Sequence, residues 1–261
     1  MPTRVTPAAA RLAVVGTVLL IGTVIGATPA SAVADGTPAT PGEYPFAVKL
    51  TMTHIPRPDG SFYDSGCSAG LISRSWIITA GHCFHDVNRV PVSGPVPYVT
   101  AATLNTVDVS QSPGEVRNVT YVRQAGTTDI AVARLSAPVT DVTPLALNRA
   151  APAAGTVLTI AGWGATSSVN PTPSTRLFTG QVKIQTVNPA TITVVGYQPE
   201  LDTSACLYDS GAPYFTTPAA GRPLLVAVES NGPDCPHSDP ETTARVDTLI
   251  NSIATTVPDL R

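Results

Sequence analysis

Apolar and polar residues alternate over much of the chain. Phe46, Val48, Leu50 and Met52 stand at every second position, with smaller or polar residues between them. This is the period of a strand buried on one face. The segments Tyr98–Leu104, Val119–Val122, Ile130–Leu135, Val157–Ala161, Val182–Val187, Ile192–Val195 and Leu224–Val228 are short and rich in apolar or β-branched residues. Pro, Gly, Asn, Asp or Ser usually lies close to their ends. Regularly spaced short strands of this kind predict an all-β sandwich or barrel. One segment has a different period: Val246, Leu249, Ile250 and Ile253 fall at i, i+3, i+4 and i+7, one face of a helix. Pro258 is its stop signal. The stretch His54–Ser65, with Pro56, Pro58 and Gly60, predicts an exposed loop.

The N-terminus departs from this pattern. Arg4 and Arg11 precede an apolar run, Leu12 to Ala27, and Ala30-Ser31-Ala32 follows as a small-x-small site. Together these predict a secretory signal peptide over residues 1–32, cleaved after Ala32. A membrane anchor is the poorer reading, because Gly16, Gly22 and Gly26 interrupt the run. The mature domain is then expected at 33–261, secreted to the extracellular space, with no stable membrane association.

Charged residues make up 13% of the 261 positions and the formal net charge is −3. Without a run of Lys or Arg to grip phosphates, nucleic acid is not an expected partner. Lys occurs only at Lys49 and Lys183, and the Arg bias, as an association with GC-rich genomes, makes a bacterial source the expectation. Four cysteines in an exported chain predict two disulfides. Three connectivities are open, of which Cys67 with Cys83 and Cys206 with Cys235 are the local pairs. Neither CxxC nor HExxH occurs, so no metal is expected.

Three segments carry candidate chemistry. In Cys67–Cys83 the histidine His82 adjoins a half-cystine, which would pin a general base by covalent structure. In Thr128-Asp129-Ile130-Ala131 an acid stands at the mouth of an apolar strand. In Tyr208-Asp209-Ser210-Gly211-Ala212-Pro213 a serine lies between Asp and Gly. An isolated histidine, acid or serine in such places is more often structural. The order His, Asp, Ser with these flanks is the stronger signal.

With those residues in view, the chain resembles the chymotrypsin/trypsin family over essentially its whole mature length. That family carries Thr-Ala-Ala-His-Cys, here Thr79-Ala80-Gly81-His82-Cys83, and Asp-Ile-Ala, here Asp129-Ile130-Ala131. It carries Gly-Asp-Ser-Gly-Gly-Pro where this chain has Tyr208 to Pro213; Gly162-Trp163-Gly164 and Pro144-Leu145 also match. The resemblance implies two six-stranded antiparallel β-barrels packed face to face, with a C-terminal α-helix and the active site in the cleft between barrels. The barrels are expected at about 33–140 and 150–243 and the helix at about 244–256. It further implies the two local disulfides, a catalytic triad of His82, Asp129 and Ser210, and an oxyanion hole from the backbone N–H groups of Tyr208 and Ser210. It also implies a buried ion pair between Asp209 and a new α-amino group at Val33. Val33, Gly36 and Pro45 fit the family's mature start, so signal cleavage would also be activation.

The departures fall in two places. Tyr208 stands where the family has Gly, at an oxyanion donor. The specificity pocket is expected from Ser204 at its floor and from walls at Ser230-Asn231-Gly232 and Pro240-Glu241-Thr242. Ser204 resembles the chymotrypsin arrangement rather than an Asp floor, Asn231 replaces Trp and Glu241 replaces Gly. Glu241 has three readings: it charges the pocket, fills it, or points to solvent. The expected protein is a monomeric serine endopeptidase acting on polypeptides without a cofactor. The alternative is a catalytically silent homologue that acts as a secreted binding protein. An α/β-hydrolase esterase is excluded, since Ser210 lacks the Gly-x-Ser-x-Gly elbow and the chain order is wrong.

Overall fold

A computed structural model describes residues 1–3, 33–219 and 221–260. The expected signal peptide lies outside the described residues except for its first three positions.

Among the described residues twelve strands of four or more residues form two units, and three two-residue strands pair with them. The first comprises β1 (Ala47–Pro56), β2 (Phe62–Ser73), β3 (Trp76–Thr79), β4 (Val99–Leu104), β5 (Glu115–Gln124) and β6 (Ala131–Leu135). All neighbours are antiparallel, in the order β5-β4-β1-β2-β3-β6, and pairing of β5 with β6 closes the barrel. The second comprises β7 (Val157–Gly162), β8 (Phe178–Val187), β9 (Thr191–Gln198), β10 (Pro213–Thr216), β11 (Leu224–Asn231) and β12 (Glu241–Arg245). Its order is β8-β7-β10-β11-β12-β9, closed by β8 on β9. The two six-stranded antiparallel barrels expected from the resemblance are present. Closure leaves these strands without a free edge, so their backbone groups are paired around each ring.

Alternation explains most of these strands. In β1 the buried positions Val48, Leu50 and Met52 register against β2 and β4. The strand ends run further than the turn residues suggest. β1 continues to Pro56 and β2 starts at Phe62, so the expected loop over 54–65 narrows to residues 57–61. β2 itself carries no alternation, because every residue from Gly66 to Ser73 is buried. One side of it packs into its own barrel and the other faces the second barrel. Phe46 and Phe215 meet across that junction edge to face, with centroids 5.2 Å apart, and Tyr44 joins Phe215 at 5.1 Å.

The helix α1 covers Ile250–Thr256, after a single 3-10 turn at Asp247–Leu249. Its start lies beyond the expected 244, because β12 occupies the chain to Arg245. Val246, Ile250, Ile253 and Val257 are buried in the same cluster as Leu135, Val139 and Val142. The C-terminal segment packs on the first barrel although it follows the second in sequence: Ser73 Oγ on β2 donates to Asp259 Oδ2 at 2.9 Å, and Leu249 lies against Gly126. Among the described residues no helix is long and apolar enough to cross a membrane.

Candidate active site

β3 delivers the chain to a 3-10 turn, Gly81–Cys83, and the Cys67–Cys83 disulfide ties that turn to β2. His82 is held within it from two directions. Its backbone N–H donates to Asp129 Oδ1 at 2.8 Å, and its ring Nδ1 lies 2.7 Å from Asp129 Oδ2. Asp129 stands just before β6, which pairs with β3, so adjacent strands set the spacing of the pair. Ser230 Oγ at the end of β11 donates to the same Oδ2 at 2.7 Å. This bond crosses from the second barrel to the first. Burial pushes the Asp129 carboxyl up, but the donors from His82 and Ser230 outweigh it and hold the group below the usual carboxylate range. An ionised acceptor at Nδ1 fixes the proton there and leaves Nε2 as the free base.

Ser210 lies in the turn before β10. Its carbonyl accepts Ser68 N–H at 2.9 Å, which anchors it to β2. Ser210 and His82 line one cavity of about 420 Å³ between the barrels. Among the described residues no hydrogen bond joins Ser210 Oγ to the His82 ring. The N–H groups of Tyr208 and Ser210 likewise have no partner, while the intervening Asp209 N–H is bonded to Cys206 O at 2.9 Å. Two free donors, one on the serine itself and one two residues before it, are the kind of group that an oxyanion would need. Tyr208 holds φ 75°, a region that side chains other than Gly seldom occupy. Its carbonyl accepts Ser68 Oγ at 3.2 Å, and its ring lies beside Gly66 with the hydroxyl near Pro171 O at 3.5 Å.

Asp209 is fully buried. Gly164 N–H donates to its Oδ1 at 2.7 Å and Cys206 N–H to its Oδ2 at 3.0 Å. The backbone N–H of Val33, itself buried, is a third donor. A Cβ at Gly162 or at Gly164 would collide with this carboxylate, which accounts for the glycines on either side of Trp163. Burial pushes the Asp209 carboxyl up to about 7 despite its three donors and the distant charge of Lys49. The Lys49 ammonium, lowered by its own burial to about 8, bonds instead to Ser174 O. In the uncleaved chain Val33 thus meets Asp209 through its peptide N–H.

The pocket residues divide. Ser230 and Gly232 line the cavity, as does Asn231. Ser204 and Glu241 do not; both are buried behind its wall. Ser204 Oγ accepts His237 N–H at 3.2 Å, and Glu241 Oε2 accepts Ala205 N–H at 3.0 Å. Glu241 therefore neither points to solvent nor lines the open space. A residue outside the sequence expectation does: Glu229, on β11 beside Ser230, lines the cavity while only 4% exposed. The signal for it was an acid ending the apolar run Leu224 to Val228. The second disulfide, Cys206–Cys235, joins two strand-connecting segments at the cavity. Among the described residues no group of His, Cys, Asp and Glu side chains is arranged to hold a metal.

A family profile described as Trypsin matches residues 33–253, and the chain belongs to the trypsin family of serine proteases. "Serine protease SSP1" of Scolopendra subspinipes is 29% identical over 196 residues, which cover 69% of this chain and 66% of that protein. "Transmembrane protease serine 11C" of Mus musculus is 30% identical over 227 residues, covering 78% of this chain but 48% of that protein. "Serine protease 1" of Canis lupus familiaris is 30% identical over 106 residues, 40% of this chain. The chain thus spans between about half and two thirds of the length of the first two relatives. All three are animal proteins and lend the expected bacterial source no support.

Proposed function

We propose that this chain is a secreted serine endopeptidase, exported by residues 1–32 and hydrolysing peptide bonds through an acyl-enzyme on Ser210. Ser210 Oγ attacks the scissile carbonyl carbon, and its proton passes to His82 Nε2. The carbonyl oxygen gains negative charge and is received by the N–H groups of Tyr208 and Ser210. His82 then gives its proton to the leaving amine, and water repeats the sequence to release the acid. Asp129 stays ionised throughout, holds the tautomer and stabilises the imidazolium. The observation that carries the reading is the His82–Asp129 pair at 2.7 Å, opening on the same cavity as Ser210. The enzyme acts as a monomer and needs no cofactor.

Two observations favour the silent homologue: among the described residues no hydrogen bond joins Ser210 to His82, and a strained Tyr replaces Gly at the oxyanion donor. Such bonds often tighten only with substrate bound. A serine-directed fluorophosphonate probe separates the readings. Labelling of the mature protein that disappears in Ser210→Ala supports the endopeptidase, and folded mature protein that never labels supports the silent homologue. His82→Ala should remove nearly all peptide hydrolysis, and Asp129→Asn should lower kcat by roughly 10⁴-fold with the fold intact.

A further inference from the structure

We infer that Tyr214 and the two acids it bridges, Glu229 and Glu241, are positioning residues for Ser210: one shared proton closes them into a clamp on the turn that carries the serine, and the clamp opens when that proton leaves. Calling Ser210 a nucleophile rests on the endopeptidase reading, while the clamp itself stands on three buried side chains.

Tyr214, on β10, is fully buried, and its hydroxyl oxygen lies 2.8 Å from Glu229 Oε2 and 2.5 Å from Glu241 Oε1. A phenol has one proton to donate. Between two ionised carboxylates it satisfies one and turns its oxygen, an acceptor, towards the other. That is costly where no water compensates. Every group is satisfied when one acid carries a proton, donates it to the tyrosine oxygen, and the tyrosine donates to the second acid.

The surroundings supply no fixed cation to replace the proton. Among the described residues no Lys or Arg pairs with either acid. Asp209, ahead of β10, adds negative potential to both, and Asp129, ahead of β6, adds more to Glu229. From β9, Val194 stands opposite Glu241 and brings no charge. His237, between β11 and β12, lies with Nδ1 2.8 Å from Asp239 O; its Nε2 is 3.7 Å from Glu241 Oε2 and makes no hydrogen bond. Burial and the charge of Glu241 push Glu229 well above the usual carboxylate range, and burial pushes Glu241 up to about 7. Burial also keeps the Tyr214 phenol protonated well beyond its ordinary range. The cluster thus holds its shared proton up to about neutrality.

What the clamp holds is the chain on both sides of Ser210. Glu229 O accepts Gly211 N–H at 2.9 Å and Glu229 N–H donates to Ala212 O at 2.9 Å, so the two residues after the serine hang on Glu229. On the other side Glu241 Oε2 accepts Ala205 N–H at 3.0 Å, and the next residue, Cys206, donates its N–H to Asp209, the residue before the serine. Tyr214 ties these two anchors together. Once both acids ionise they repel and compete for one donor, and a shift of either reaches the turn. Both groups are raised in the folded state, so the stabilisation is full at low pH and is lost as pH rises through about 7.

The test compares the mature protein with Glu241→Gln. The glutamine amide donates to the Tyr214 oxygen at every pH while its carbonyl still accepts Ala205 N–H, which fixes the clamp closed. Amide hydrogen exchange of Gly211 and Ala212 is followed in both proteins at pH 6 and 8, so that the intrinsic pH dependence of exchange cancels. Protection should match at pH 6. Above about pH 7 the unaltered protein should lose protection relative to the variant by up to about tenfold per pH unit. The rate of fluorophosphonate labelling should fall behind that of the variant in the same way. Glu241→Ala, folded by near-ultraviolet dichroism, should lose protection at both pH values, and His237→Gln should keep the loss at pH 8. A ratio of protection that does not change with pH overturns the inference. So does its disappearance in His237→Gln, which would place the proton on the imidazole. A chain that labels at a rate indifferent to the change in protection also overturns it, since the cluster then stabilises without positioning. A chain with the expected protection that never labels keeps the clamp and loses the endopeptidase reading.

Discussion

Tyr208 is the residue at which the local conformation and the side chain disagree. At φ 75° it pays roughly 1–2 kcal/mol that Gly would not. Its N–H remains unpartnered beside that of Ser210, so the side chain has not cost the site a donor. Replacing it with Gly relieves the strain but loses the ring contacts beside Gly66 and frees the unfolded chain, so the melting temperature should change little. Turnover is the informative readout. Tyr208→Gly should raise kcat on a short peptide ester if the Cβ tilts the donor, and an equal or lower kcat would show that the ring is a substrate contact. At this scale the sequence was most legible where chemistry dictates residue type. His82, Asp129 and Ser210 were legible as candidates through their order and flanks taken together, each alone being a common structural residue. It was least legible where the structure reassigns a known residue. Ser230 was expected as a pocket wall, and its hydroxyl is also the third donor to Asp129. Glu229 was passed over because an acid after an apolar run reads as the end of a strand. In space that run continues through Asn231, and Glu229 is buried on it with Oε2 accepting the Tyr214 hydroxyl at 2.8 Å.

Strands with one buried face announce themselves by alternation, and β1, β4 and β7 were legible for that reason. β2 was not, because both faces are buried from Gly66 onward and small residues replace the pattern. β10 and β12 are short, and their boundaries carry motif residues rather than a period. The helix was visible from its apolar face, but that face includes Val246, which precedes α1 and is buried all the same. Sequence spacing fixes which residues face inward and does not show which barrel they close. Since the C-terminal segment packs on the first barrel, Ile253→Ala should open a cavity there and cost about 2–5 kcal/mol in denaturant unfolding. It should leave fluorophosphonate labelling nearly unchanged in the fraction that remains folded. A cost under about 1 kcal/mol would mean that the helix is only loosely docked.

Over the whole molecule, buried acids give an unusual dependence on pH. Asp209 has a folded-state value near 7, above its ordinary 3.8. A carboxyl raised in the folded state binds its proton more tightly there than in the unfolded chain. Its contribution to stability is therefore full below pH 4 and is lost as pH rises towards 7, at up to about 1.4 kcal/mol per pH unit. This applies while the Val33 nitrogen is a peptide amide. If cleavage after Ala32 were to turn it into an ammonium, the carboxylate would gain a partner and its value would fall, so that this loss would disappear. Glu229 and Glu241 contribute alike to both forms, and the difference between the forms isolates Asp209. Urea unfolding of the uncleaved and mature chains at pH 5 and 7.5 should show a gap that widens with pH. A constant gap would refute the Val33–Asp209 pairing. The two barrels carry a further consequence. His82 and Asp129 belong to the first, Ser210 and Ser230 to the second, and the Ser230–Asp129 bond is a strut between them. Neither half holds a complete reaction centre. On the proposed endopeptidase reading, a chain cut in the exposed connection at residues 150–155 would become two inert fragments whose catalysis returns only when they meet, a split reporter in which bond cleavage counts encounters.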